Sequence, residues 1–262
     1  MTGPIEQTLT EVRSTGRKSF VPYLTGGLDD QWLHSIAAAV DNGANALEIG
    51  IPFSDPVMDG PVIQEANDQA LSGGATPQSI LTELRDFDTE VPMAAMTYYN
   101  IAFRMGHHRF AESLLEAGVT GAILPDLPLE EAGEWAAAAD EVGVETIMLA
   151  APTAPDDRLP RICERSHGFV YGVGLVGITG EREALAESAI EMARRLKEVT
   201  DKPVLVGVGV STPQQAVEAC AVADGVVVGS AIVRRMLESG SEGVAELTKD
   251  FRQALDAAFP GN

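Results

Sequence analysis

The sequence has few cysteines and no long hydrophobic run, and each shortage excludes a class of protein. Cys163 and Cys220 are the two cysteines among 262 residues, and neither stands in a cluster of cysteine and histidine with metal-ligand spacing. We therefore expect two buried thiols, with neither a disulfide nor a zinc site. No apolar stretch approaches the roughly 20 residues of a membrane span, and the first residues lack the basic start and apolar run of a signal peptide. These features predict a cytoplasmic protein.

Basic residues are also scarce, since the chain carries 18 of them against 39 acidic residues, for a net charge of −21. Nucleic acids and anionic membranes require a cationic surface, so both are excluded as partners. The carboxylates are spread along the chain, as in an acidic, halophile-like protein. In molar salt the Debye length falls to about 3 Å, which screens the repulsion between surface carboxylates. Adaptation to a high-salt cytoplasm is therefore our hypothesis for this composition.

The length is close to the roughly 250 residues of a (β/α)8 barrel, and 45% of the residues are hydrophobic, enough for a sizeable core. After an opening helix at residues 5–13, short β-rich apolar runs alternate eight times with longer helical stretches. The predicted strands are residues 19–24, 46–51, 93–97, 121–124, 145–149, 169–172, 204–208 and 225–228. The predicted helices include residues 30–41, 107–117, 130–142, 157–166, 183–200 and 213–221. This alternation is typical of a parallel sheet covered by helices, and eight units favour one TIM barrel domain over residues 1–262.

Glycines support this fold. Gly43, Gly118 and Gly143 each follow a predicted helix end, where a left-handed residue is favoured. The main alternative is an open, doubly wound sheet, which is expected to carry its glycine-rich turn after the first strand. Here the glycine-rich turns come late in the chain, after the predicted strands six to eight.

These late turns predict a phosphate site. Residues 177–180 (GITG) follow strand six, residues 207–211 (GVGVS) follow strand seven, and residues 229–231 (GSA) follow strand eight and lead into a short helical stretch at 232–237. Barrels often bind phosphate there, because glycines let the backbone approach and free amides at a helix start donate to the anion. Such charge-assisted hydrogen bonds contribute about 1.5 to 3 kcal/mol each, so no lysine is required.

One acidic residue stands inside a predicted strand. Glu48 lies between Leu47 and Ile49, and the alternation of a strand places it on the opposite face from both. Burial raises the pKa of a glutamate, which would let Glu48 take and give a proton near neutral pH. Pairing with a base is the structural alternative, although no lysine or arginine is near in sequence. Asp55 and Asp59 follow in the next loop, which lies on the active-site face of a barrel.

The stretch around these carboxylates resembles the tryptophan synthase alpha chain family. PFSDP at residues 52–56 and DGP at 59–61 follow Glu48. The resemblance covers nearly the whole chain through FVPYLTGG at 20–27, MTYYN at 96–100, LPDLPLEE at 124–131, GITG at 177–180, GVGVSTP at 207–213 and GSAIV at 229–233. It implies retro-aldol cleavage of indole-3-glycerol phosphate to indole and glyceraldehyde 3-phosphate, with no metal or cofactor in this chain.

The resemblance also implies a role for each site residue. Glu48 would be the general acid and base at the indole ring carbon and the glycerol hydroxyl, and Asp59 would accept the indole N–H and stabilise the positive charge on the protonated ring. The substrate-binding residues would be Tyr23, Tyr98, Tyr171, Thr179, Gly180, Gly209, Gly229 and Ser230. For Tyr171, a purely structural aromatic plug of the barrel remains open. In the family the loop after strand six, residues 172–180 here, acts as a lid. Several members carry a serine and an arginine in this loop, whereas this chain has Leu175 or a neighbour in place of the arginine. No salt bridge from that arginine is therefore expected to contribute to closure of the lid.

The family's alpha chain docks on a beta chain that carries pyridoxal phosphate, so the resemblance implies an α2β2 complex. In that family, indole passes through a tunnel from the alpha chain to the beta chain. The loop 52–59 and the segment 98–103 lie on the predicted active-site face, and we expect Ile101 and Phe103 to be exposed there for docking. Folding of these loop residues back onto their own barrel is the alternative.

Two other functions remain open. The first is another phosphate-binding barrel enzyme, such as an isomerase or synthase acting on an indole, triose or ribose phosphate; an isomerase of triose phosphate should show a catalytic histidine and a lysine at strand ends. All four histidines fall in or beside predicted helices: His34, His107, His108 and His167. The second is a non-catalytic barrel that only activates a beta-type partner, and the presence of both Glu48 and Asp59 disfavours it.

Overall fold

Eight parallel strands close into a barrel in the computed structural model, which describes residues 2–174, 182–207 and 209–261, apart from the side chains of 182–186. The strands are β1 Ser19–Thr25, β2 Leu47–Gly50, β3 Met93–Met96, β4 Val119–Ile123, β5 Glu145–Ala150, β6 Val170–Gly172, β7 Val204–Val206 and β8 Gly225–Val228. Each pairs with the next along the chain, and β8 pairs with β1 to close the ring. The predicted TIM barrel is therefore confirmed.

The helices surround this barrel. They are α1 Pro4–Ser14, α2 Trp32–Asp41, α3 Pro61–Ser72, α4 Pro77–Arg85, α5 Tyr99–Met105, α6 His107–Glu116, α7 Gly133–Val142, α8 Leu159–Arg165, α9 Arg182–Lys197, α10 Pro213–Cys220 and α11 Ser230–Ala258. The sequence named seven of them within a few residues, and α3, α4 and α5 were not named. The short helix predicted at 232–237 is the first part of α11, which bends at Gly240 because that residue has non-helical backbone angles.

Local signals at the helix ends act as the sequence predicts. Gly43, Gly118 and Gly143 have φ angles of 102°, 75° and 96°, in the left-handed region that glycine adopts without strain. Capping boxes begin α4 and α10, where Thr76 and Thr212 exchange hydrogen bonds with the residue three positions later. These ends fix where each helix starts and stops around the barrel.

Side chains alternate between two cores along the strands. Leu47 and Ile49 are fully buried between the barrel and the helices, whereas Glu48, between them, points into the barrel. The interior of the barrel is filled by a separate apolar cluster that includes Val21, Ala46, Ala94, Ile123, Ile147, Phe169, Leu205 and Val227. The alternation that predicted an inward Glu48 is therefore confirmed.

Helix α1 closes the amino-terminal end of the barrel. Ile5 and Leu9 are fully buried in the interior cluster. Glu145, the first residue of β5, accepts hydrogen bonds from the backbone N–H groups of Ile5 and Glu6, both at 2.9 Å. Because a carboxylate at a helix start both caps the helix and complements its dipole, α1 is held at this end and the carboxyl end of the barrel is left for a site.

Both cysteines are buried free thiols, Cys163 in α8 and Cys220 at the end of α10. In the described part of the chain, no helix is long and apolar enough to cross a membrane.

In the segment 98–103, which was predicted to dock on a partner, only one of the two side chains expected to be exposed is exposed. Phe103 is 61% exposed, as expected, but Ile101 is packed against the core and the prediction of its exposure is wrong. The reason is that residues 99–105 form α5, and two residues along a helix are about 200° apart around its axis. Phe103 and Ile101 therefore face opposite sides.

A substitution in α1, the helix that closes the amino-terminal end of the barrel and forms its floor, tests this architecture. Ile5→Ala should lower the free energy of unfolding by about 2 to 4 kcal/mol, because it leaves a cavity where the surrounding strands cannot collapse. Gln7→Ala, at an exposed position of the same helix, is the control and should change it by less than about 0.5 kcal/mol. Urea unfolding measures both, and equal effects of the two variants would contradict the role of α1 as the floor.

Candidate active site

A cavity of roughly 410 Å³ opens at the carboxyl ends of the strands. It contains the following seven of the ten residues predicted for the site: Tyr23, Glu48, Asp59, Tyr171, Gly209, Gly229 and Ser230. They come from β1, β2 and β6, from the loops after β2, β7 and β8, and from the first residue of α11. The barrel thus brings together residues that are far apart in sequence, at the end where barrel enzymes carry their active sites.

Glu48 is the most deeply buried carboxyl of this cavity. Its side chain is 2% exposed, its Oε2 atom has no hydrogen-bond partner among the described residues, and the Tyr171 hydroxyl lies within hydrogen-bonding reach of the carboxyl. No lysine or arginine stands among the described residues that line the cavity. Burial, reinforced by the nearby charge of Asp59, raises the pKa of Glu48 to about 8, even though the Tyr171 hydroxyl lowers it. Glu48 is therefore mainly protonated at pH 7.

Asp59 is less buried and lies in the loop that leads into α3. Burial raises its pKa to about 6, while hydrogen bonds from Tyr98 and Asn67 act in the opposite direction. The Asn67 amide donates to Oδ2 of Asp59 at 3.3 Å. Asp59 is therefore mainly ionised at pH 7. Two neighbouring carboxyls with separated pKa values are the arrangement from which acid and base roles can be assigned.

Two tyrosine rings fill the space around these carboxyls. Tyr23 is the register partner of Glu48 on the neighbouring strand. Burial and the charges of Asp59 and Glu48 raise the pKa of Tyr23 well above its usual value. The rings need glycine beside them, because a Cβ atom on Gly50 would lie 1.9 Å from the Tyr23 hydroxyl and one on Gly207 would lie 2.1 Å from the Tyr171 ring. Neither glycine can be replaced without displacing a tyrosine.

The part of the cavity wall next to Tyr23 offers backbone donors. Gly229 and Ser230 stand at the start of α11, whose N-terminus is capped by no described side chain. Its first amides are thus available to a ligand and aligned with the positive end of the helix dipole. At the start of α10 the corresponding amides are already occupied, since Gln215 Oε1 accepts from Ser211 and Thr212 at 2.8 and 3.1 Å. The free backbone donors of the cavity therefore lie at the start of α11, and Gly209, whose φ of 91° is in the left-handed region, turns the loop after β7 beside them.

Of the ten predicted residues, two lie outside the described residues, and a third, Tyr98, does not line the cavity. Thr179 and Gly180, with the whole GITG turn and Leu175, lie outside the described residues. Tyr98 is described but stands behind Asp59: its hydroxyl accepts a hydrogen bond from the Met58 backbone N–H at 2.9 Å, and its ring stacks on Phe53 at 5.1 Å. Tyr98 therefore contacts the loop that carries Asp59.

The structure also shows that Asp55 lies outside the cavity and that Asn67, which was not predicted, contacts Asp59. Asp55 is exposed, accepts a hydrogen bond from Ser54 and does not line the cavity. Asn67 was missed, although its place among the apolar positions 63, 66 and 70 of one helix face was a signal, because a polar residue at a core position needs a reason. Of the four histidines, none lines the cavity as described.

Comparison with known proteins agrees with this geometry. A sequence profile of the tryptophan synthase alpha chain family matches residues 9–258. The chain is 42% identical to the tryptophan synthase alpha chain of Streptomyces coelicolor over 260 residues, 96% of each chain, and 42% identical to that of Methanocaldococcus jannaschii over 234 residues, 88% of this chain and 83% of the relative.

Solved structures show the same similarity. A Mycobacterium tuberculosis tryptophan synthase structure has a TM-score of 0.89 and 35% identity, covering 97% of this chain and 99% of that one. The alpha subunit of Legionella pneumophila has a TM-score of 0.86 and 32% identity, covering 98% and 100%. Sequence and fold agree over nearly the full length, and the chain therefore belongs to the tryptophan synthase alpha chain family.

Proposed function

We propose that Glu48 and Asp59 perform the alpha reaction of this family, the cleavage of indole-3-glycerol phosphate to indole and glyceraldehyde 3-phosphate. The family membership makes this chain a lyase of tryptophan biosynthesis. The observation that carries the assignment is the pair of neighbouring carboxyls in one cavity, with the pKa of Glu48 at about 8 and that of Asp59 at about 6. At neutral pH one is an acid and the other an anion.

The reaction needs one proton to leave and one to arrive. Protonated Glu48 gives its proton to the indole ring carbon that bears the glycerol chain, which places a positive charge on the ring. The ionised Asp59 accepts the indole N–H and stabilises that charge. Glu48, now a carboxylate, takes the proton of the adjacent glycerol hydroxyl, the carbon–carbon bond breaks, and its electron pair returns to the ring. Indole and an aldehyde leave, Glu48 is again protonated, and no further reactant is consumed.

The remaining wall of the cavity suits the rest of the substrate. Tyr23 and Tyr171 bracket the carboxyls and are proposed to contact the indole and glycerol parts. Gly209, Gly229 and Ser230 are proposed to hold the phosphate through backbone amides and the start of α11. For Thr179 and Gly180 the same role rests on the resemblance of their motif. We propose that the chain itself carries no cofactor, since the proton steps above require only these two carboxyls.

A beta chain is the proposed partner. The solved Mycobacterium tuberculosis structures are of tryptophan synthase, and we propose that this chain likewise docks on a beta chain that carries pyridoxal phosphate, in an α2β2 complex. Large apolar side chains are exposed in the loop after β2 and in α5, at the carboxyl end of the barrel: Val57 at 80%, Met58 at 45% and Phe103 at 61%. Apolar groups of this size are favourable in the core of an interface. We further propose that residues 1–262 act as one catalytic domain in the cytoplasm.

Indole release by the purified chain tests the function. In molar KCl the wild-type chain should release indole from indole-3-glycerol phosphate slowly, and a beta-type partner should accelerate it. Glu48→Gln and Asp59→Asn should each lower kcat by at least about 10²-fold, because each removes a positioned proton-transfer or charge-stabilising group. A folded Glu48→Gln variant that keeps wild-type kcat would rule out the proposed mechanism.

The two pKa values also predict a pH profile. The kcat/KM for indole release should form a plateau between about pH 6 and 8. Below it Asp59 gains a proton and no longer stabilises the positive ring, and above it Glu48 loses the proton that the ring carbon must receive. A rate that stays constant from pH 7 to 9.5 would contradict the acid role of Glu48.

Burial of Glu48 should reduce stability at the pH where the enzyme works. Between the ordinary pKa of 4.5 and the folded value of about 8, the unfolded chain releases a proton that the folded chain keeps. Stability therefore falls as pH rises, by up to about 1.4 kcal/mol for each pH unit. Glu48→Gln removes this titration, so urea unfolding should find it more stable than wild type at pH 8 and nearly equal at pH 5. A difference that does not depend on pH would contradict the raised pKa.

A further inference from the structure

Asn67 is a buried amide on a helix face that is otherwise apolar. Its side chain is 2% exposed, and the other buried residues of α3 are Ile63, Ala66 and Ala70. Its Oδ1 atom has no hydrogen-bond partner among the described residues. Burial of an unsatisfied amide oxygen is unfavourable, so a side chain that only fills space would be better served by leucine at this position.

The other end of this amide has one partner, the carboxylate of Asp59. Nδ2 of Asn67 donates to Oδ2 of Asp59 at 3.3 Å. The reverse orientation would set two acceptor oxygens against each other, so the contact with Asp59 determines which way the amide points. Asn67 itself does not line the cavity as described, and it therefore reaches the reacting groups through Asp59 alone.

Asp59 needs such a support because it lies on an exposed loop. Its neighbours Val57 and Met58 are 80% and 45% exposed. The loop is tied to the barrel by Tyr98, whose hydroxyl accepts from Met58 and lies within hydrogen-bonding reach of the Asp59 carboxyl. Tyr98 follows β3 and contacts the loop at Met58, whereas Asn67 belongs to α3 and contacts the carboxylate, so the loop and its carboxylate are held by two separate elements.

We propose that Asn67 is a positioning residue for the alpha reaction: its amide holds one oxygen of Asp59 and leaves the other for the indole N–H. The inference rests on the proposed role of Asp59. A catalytic carboxylate must stand within a fraction of an ångström of its productive position, and groups behind it commonly supply that precision. The buried, unsatisfied Oδ1 atom of Asn67 lowers the stability of the fold, and this loss accompanies the placement of Asp59.

The pH dependence separates this role from simple packing. A donor to the carboxylate favours its charged form, so loss of the Asn67 amide should raise the pKa of Asp59 and move the acid limb of the kcat/KM profile to higher pH. Among the described residues, the other ionisable groups that face Asp59 are Glu48 from β2, Tyr23 from β1 and Tyr98 after β3. All three keep their protons below pH 7, since the pKa of Glu48 is about 8 and those of the tyrosines are raised. They do not contribute to this limb.

Asn67→Leu, with Asn67→Ala as a smaller replacement, tests the proposal on the full chain. Either variant should lower kcat by about 10- to 100-fold, the effect of losing a hydrogen bond to a charged group, with KM changed less than about threefold. Gln64→Leu is the matched control, because the Gln64 amide donates to the backbone oxygen of Asp59 at 2.7 Å and not to its carboxylate. It should leave the acid limb in place. Wild-type kcat and an unmoved acid limb in both Asn67 variants would overturn the proposal.

A double-mutant cycle distinguishes the positioning role of Asn67 from the catalytic role of Asp59. In the Asp59→Asn background, Asn67→Leu should lower the residual kcat no further, because the group through which it acts is already lost. The same fold reduction in both backgrounds would overturn the positioning role and leave the role of Asp59 intact. An Asp59→Asn variant with wild-type kcat would overturn the proposed function itself.

Discussion

The site depends on a carboxyl group, that of Glu48, which is buried with no cation among the described residues that line its cavity. Glu48 is enclosed by strands and tyrosine rings, and no described residue of the cavity wall supplies a positive charge to pair with it. Desolvation therefore favours its neutral form, and the charge of Asp59 adds to the effect. A basic residue at this point would have made Glu48 an ordinary ionised partner in a salt bridge. Its absence from the described wall leaves an acid that can give its proton at neutral pH.

The architecture serves this one constraint. Helix α1 and the interior apolar cluster fill the amino-terminal end of the barrel, and the cavity that contains Glu48 opens at the carboxyl end. Gly50 and Gly207 make room for the tyrosines beside the carboxyls. The first backbone amides of α11 are free to donate to an anion, and no lysine or arginine stands among the described residues that line the cavity with Glu48. An anionic substrate and an uncharged general acid can therefore share one cavity in a protein with a net charge of −21.

Much of this arrangement could be predicted from the sequence because its signals are local. The period-two pattern around Glu48 predicted which face it occupies, and glycines after strands seven and eight marked loops that line the cavity. The exposure of Ile101 was predicted wrongly because a short apolar segment does not reveal whether it forms a helix or a loop. The contacts of Asn67 and Tyr98 with Asp59 could not be predicted, since they depend on how the loop after β2 folds against α3 and the end of β3.

The central claim is that the two carboxyls hold different protonation states at neutral pH, and NMR of the carboxyl carbons tests it most directly. Protein labelled with 13C at the carboxyl carbons, assigned by comparison with Glu48→Gln and Asp59→Asn, would be titrated from pH 4 to 9. Glu48 should titrate with a pKa of about 8 and Asp59 with a pKa of about 6. A Glu48 that titrates at its ordinary pKa of 4.5 would be ionised at neutral pH, and would contradict its proposed role as the acid.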